Sequence, residues 1–164
     1  MDGKGMIKKA LESILNNDFE QAIQWFEHAI DHEPDNASYH FRMSITCARS
    51  GKLDKAISHA QTAVKLDGQQ DYKDHLRHLE AVQLVRQAER RLNQPVPERF
   101  ECIQMLKQAV RLDPLCLEAH LLLGAVYMEQ GQFEQASEAL HEVLRLNPNH
   151  ESARSMLETI QKKH

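Results

Sequence analysis

The residues with the types and spacing for chemistry are histidines and cysteines. His28 and His32 stand four apart, a spacing that turns both rings to one side of a helix and within reach of one zinc ion. Glu27 and Asp31 lie one step round and no third ligand is near in sequence, so the expectation is a solvated outer face. His75 and His78, three apart, read the same way. Cys47, Cys102 and Cys116 are an odd, widely spaced set with no C-x-x-C pair. They read as small apolar side chains in a reduced chain. Cys116, just before a helix, is the one thiol with a route to reactivity. The six glycines are scattered and form neither G-x-x-x-x-G-K-[ST] nor G-x-G-x-x-G, and no G-x-S-x-G occurs. The expectation is therefore no catalytic residue, no metal and no cofactor.

The elements that carry these residues follow from composition and pattern. The chain has 164 residues, 41% hydrophobic but only 5% aromatic, so its core must be mostly aliphatic. A formal net charge of −4 argues against a nucleic-acid binder, which would carry a basic excess. No apolar run approaches the roughly 18 residues of a membrane span, and the N-terminus lacks a signal-peptide core. A cytoplasmic protein without membrane insertion is expected.

Three stretches align: NDFEQAIQWFEHAIDHEP, GKLDKAISHAQTAVKLDG and GQFEQASEALHEVLRLNP. Ala22, Ala56 and Ala136 mark the equivalent slot in each. A fourth stretch, RFECIQMLKQAVRLDP, puts Cys102 in that slot. The step from Ala22 to Ala56 equals the step from Cys102 to Ala136, a period of about 34 residues. Gly51 and Gly131 sit where a helix ends in a left-handed residue. Pro34, Pro114 and Pro148 close the second helix of a pair. A hairpin of this kind cannot bury its apolar face alone, so copies must stack.

This pattern resembles the tetratricopeptide-repeat family. His120, Leu123, Gly124, Tyr127, Gly131, Phe133, Ala136, Leu140, Val143 and Pro148 follow that family's signature, with His120 in the tryptophan slot. His40 holds the same slot in repeat two, so both should pack rather than ligate. The resemblance implies an all-α, right-handed superhelical stack of four helical hairpins in a single domain over 1–164. Repeats fall at about 3–36, 37–70, 71–116 and 117–150, with a capping helix at about 151–163. The first repeat has its apolar stripe (Ile7, Ala10, Leu11, Ile14, Leu15) displaced, as a terminal repeat does. The third is longer than the family period by about 12 residues, because the step from Ala56 to Cys102 exceeds the other two by that much.

The resemblance also implies a concave inner face made by the first helix of each repeat. Helix geometry selects its outward positions. Repeat one supplies Lys4, Ile7, Lys8, Leu11, Ile14 and Leu15. The partner-binding groove is then expected at Phe41, Arg42, Ile45 and Arg49, at Tyr72, His75, Leu76 and Leu79, and at Leu121, Leu122 and Met128. So apolar a groove suits another protein's peptide or amphipathic helix. The opposing reading is that the long helix or the C-terminal helix covers it. Of the carboxylate clamp by which some relatives hold acidic C-termini, only Arg42 is polar here, so that mode is not expected. The added turns of repeat three are either a tolerated insertion or an oligomer arm around Val85, Ala88 and Leu92, making a homo-oligomer the alternative function. Trp25 reads as core packing or as a spot on the outer side.

Overall fold

The computed structural model describes residues 1–163, and all regular structure among them is α-helical. The helices are α1 (Gly3–Leu15), α2 (Phe19–His32), α3 (Ala37–Arg49), α4 (Leu53–Leu66), α5 (Gln70–Leu92), α6 (Arg99–Leu112), α7 (Leu117–Glu129), α8 (Phe133–Leu146) and α9 (Glu151–Lys163). Local chemistry sets their ends. Carboxylate oxygens of Asp2 and Asp18 accept the Gly5 and Gln21 amides at 2.8 and 3.0 Å, and the Asn36 side-chain oxygen accepts the Tyr39 amide at 3.2 Å. Gly51 and Gly131 turn the chain after α3 and α7 at φ 79° and 73°. Asn17, in the slot of repeat one that Gly51 fills in repeat two, adopts φ 60°, a conformation asparagine tolerates.

The chain divides into two units, Met1–Leu79 and Glu80 onward, and the division falls inside α5. The first unit holds α1–α4 and the start of α5. Its core is built on Ile7, Ala22, Phe26, Met43, Cys47, Ala56, Ala60 and Leu79. The second holds the rest of α5 and α6–α9, around Val85, Ala88, Cys102, Leu106, Leu123, Leu140 and Ile160.

The two units repeat one burial pattern. Buried Tyr72 and Leu79, with half-buried Leu76 between them, have the same spacing as Ala153, Leu157 and Ile160 on α9. Buried Gly3, Ile7 and Ala10, with half-buried Ile14, have the same spacing as Ala81, Val85, Ala88 and Leu92. Most buried positions of α2 to α4 recur at one constant offset in α6 to α8, as Ala22, Phe26, Met43 and Ala56 do in Cys102, Leu106, Leu123 and Ala136. Burial along α5 thus follows the α9 spacing up to Leu79 and the α1 spacing from Ala81 onward.

Candidate functional site

In the first unit the outward face of α3 carries Phe41, Arg42, Ile45 and Arg49. The arginines are exposed and the two apolar residues half-buried. The start of α5 lies along part of this face. The Phe41 ring sits 4.6 Å from that of Tyr72 and edge-on to His75 at 5.2 Å, centroid to centroid. His75 is anchored as well. The Ser44 hydroxyl donates to the Ala56 carbonyl at 2.6 Å, so its oxygen is left to accept from His75 Nε2–H at 2.8 Å. Burial holds the His75 pKa below the ordinary histidine value, and the nearby His78 lowers it further.

Several sequence expectations change here. Leu79 is 2% exposed and Tyr72 8%, so neither offers surface to a partner. Leu76 packs against the same core. The Tyr72 and His75 rings lie against that of Phe41, which stays half-buried. Val85 and Ala88 are 4% and 0% exposed and belong to the second unit's core, with half-buried Leu92 packed against it, so they form no projecting arm. The Ala88 carbonyl lies 3.8 Å from Cys102 Sγ, the close helix contact that a small residue allows.

In the second unit Leu121, Leu122 and Met128 line the equivalent face of α7, half-buried against the core. Glu118 and Glu129 flank them; Glu129 takes an ion pair from Arg99 at 3.2 Å. Leu15 on α1, and Val96 and Phe100, are among the most exposed large apolar side chains, at 85%, 85% and 73%. Phe100 stands where Glu20, Asp54 and Glu134 stand in the other hairpins, a register departure that alignment of the four copies reveals.

The chemistry-bearing residues are mostly structural. His40 and His120 are buried, and each Nε2–H donates to a proline carbonyl, Pro34 at 2.8 Å and Pro114 at 2.9 Å. The Nδ1 atoms of His40 and His59 face each other at 3.0 Å. His59 is held below the usual histidine pKa by burial first and then by His40. All three cysteines are buried, and burial raises each thiol pKa. Cys116 is thus no exposed thiol. His28 and His32 are exposed, and no group of three or more potential ligands is placed to hold a metal among the described residues. Trp25 is half-buried against the first unit's core.

Two family models described as tetratricopeptide repeat match the chain, over residues 9–71 and 101–160. Together they take in well over half of it. The chain belongs to the tetratricopeptide-repeat family. Each model falls in one unit, and the stretch they leave between them is chiefly α5. Similar solved structures include a MamA protein, at TM-score 0.56 and 19% identity, over 98% of this chain and 81% of that one. MamA from residue 41 to its end, from Desulfovibrio magneticus RS-1, gives TM-score 0.62 at 17% identity over 98% and 84%. YrrB, described as a tetratricopeptide-repeat protein with an unusual peptide-binding site, gives 0.55 at 16% over 93% and 73%. At these identities the likeness is one of fold. No curated protein matches the chain. No helix among the described residues of this tetratricopeptide-repeat protein is long and apolar enough to cross a membrane.

Proposed function

We propose that this protein is a protein-interaction scaffold in which the first-helix face of each unit receives a peptide or amphipathic helix of another protein. The supporting observation is the pair of equivalent helix faces, on α3 and α7, that keep apolar side chains half-exposed beside charged ones: Phe41 and Ile45 with Arg42 and Arg49, and Leu121, Leu122 and Met128 with Glu118 and Glu129. Mixed surfaces of this kind bind by burying the apolar residues and orient the partner with the charges. The peptide-binding site named for YrrB belongs to that protein; for this chain it supports only the class of function. Binding rather than catalysis is also the reading that uses the histidines and cysteines least, in keeping with their structural contacts.

The test is affinity capture with mass spectrometry, comparing the wild type with a Phe41→Glu, Leu121→Glu variant whose circular dichroism remains helical. Proteins retained by the wild type and lost by the variant are expected. Identical sets would overturn the proposal.

A further inference from the structure

We infer that three surface side-chain pairs select which helix packs on α2, on α6 and on α8. The first residue of each of these helices meets the last residue of α3, α7 and α9 respectively, and each pair is separated by the same 30 residues. The first member is half-buried and the second exposed in all three. Arg49 holds its guanidinium 4.8 Å above the centre of the Phe19 ring, and Lys163 holds its ammonium 5.6 Å from that of Phe133. Between these two in sequence, Arg99 instead donates to Glu129 at 3.2 Å. The same place therefore holds a cation on a ring, then an ion pair, then a cation on a ring again. The fourth pair at that spacing, Leu53 and Gln83, has one member in each unit and carries neither a charge nor a ring.

The spacing of the buried residues does not make this selection. α2 buries Ile23, Phe26 and Ala29, and α6 buries Ile103, Leu106 and Ala109 at the same intervals. The buried positions of α3 recur in α7 in the same way, His40 as His120 and Met43 as Leu123. The apolar faces thus offer one pattern twice, and a wrong neighbour could satisfy it. The surface pairs differ where the cores agree. The difference extends one residue further: Glu20 accepts from Ser50 and Lys52 at 3.0 and 2.7 Å, whereas the second unit has Phe100, Gln130 and Gln132 in those places.

Exchange of partners turns each attraction into a repulsion. Arg49 in the place of Glu129 would set two cations together at Arg99. Glu129 in the place of Arg49 would hold a carboxylate over the electron-rich face of the Phe19 ring. Within the second unit, Lys163 in the place of Glu129 would again oppose Arg99. A surface pair adds little to stability by itself; what these supply is the difference between right and wrong neighbours. Arg49 and Glu129 also stand on the faces proposed above for a partner, so the readout has to be stability rather than capture.

The experiment transplants one pair into the place of another in the full chain. Arg99→Phe sets a ring opposite Glu129, and Glu129→Lys sets a second cation opposite Arg99. The double variant rebuilds the Phe133–Lys163 pairing at that place. Opening of the second unit is read as the labelling rate of its buried Cys102 and Cys116 in sub-denaturing urea. Each single variant should raise that rate about three-fold, and the double should return to within about two-fold of wild type, where independent effects would multiply to about nine-fold. Phe19→Arg and Arg49→Glu, alone and together, should behave in the same way at Cys47. Lys107→Glu, an exposed reversal on α6 outside these pairs, should stay within about two-fold of wild type. Circular dichroism checks that every variant remains helical. Single variants without effect, or effects that simply multiply in the double, overturn the inference. A loss in Lys107→Glu as large as in the single variants would assign the effect to net charge and overturn it as well.

Discussion

Gly124 lies directly against Leu140: a Cβ built on the glycine would come within 2.7 Å of Leu140 Cδ2 and 2.8 Å of its Cγ. The first unit solves the same contact with the sizes exchanged. There Ser44 stands at the glycine's place and Ala60 at the leucine's, and the serine hydroxyl donates to the Ala56 carbonyl. Gly124→Ser should therefore cost about 1–3 kcal/mol by overpacking, and Leu140→Ala about 2–5 kcal/mol by leaving a cavity. The double variant should cost clearly less than the sum, because each change relieves the other. Urea melts of the four proteins check this; simple additivity would count against the paired-size account.

Acid should weaken the first unit. His59 and His75 are held below the ordinary histidine pKa in the fold, while in the unfolded chain they return to about 6.5. The unfolded state then binds more protons, so stability rises with pH: it is complete above the unfolded value and is lost as pH falls toward the depressed folded values. His40, Lys55 and Glu27 surround His59, and His78 lies near His75. The urea midpoint followed by Trp25, the chain's single tryptophan, should be lower at pH 5.5 than at pH 7.5. His59→Gln with His75→Gln should flatten that dependence. A midpoint that rises on acidification would sink the assignment.

The division of α5 can be read unit by unit. Leu79→Asp places an unpaired charge in the first core and Val85→Asp in the second, each costing more than about 3 kcal/mol. Trp25 belongs to the first unit, so its fluorescence transition should collapse in Leu79→Asp and persist in Val85→Asp, while both lose helical signal. Loss of the Trp25 transition in both would mean one cooperative block.

Thiol labelling should follow opening. Cys47, Cys102 and Cys116 are buried, with thiol pKa values raised by burial, so a disulfide reagent should reach them slowly in buffer and faster as sub-denaturing urea is added. Burst labelling of Cys116 in the absence of urea would contradict its placement.

Helix type, helix ends and the four Ala or Cys slots are legible in the sequence because they depend on local chemistry: caps, left-handed glycines and a period of about 34 residues. The face of α5 is not. Counting outward positions from Ala56 assumes that the long helix belongs to one repeat, and so turns Tyr72 and Leu79 toward solvent. Tyr72, Leu76 and Leu79 share their spacing with Ala153, Leu157 and Ile160, which lie at the far end of the chain. Val85 and Ala88 are misplaced for the same reason, since the second unit takes them as its opening helix. On α3, Arg42 and Arg49 are exposed and Ile45 half-buried.

Because the boundary at Glu80 falls inside one continuous helix, no loop marks it, and a protease that cuts at exposed loops would find no such site between the two cores.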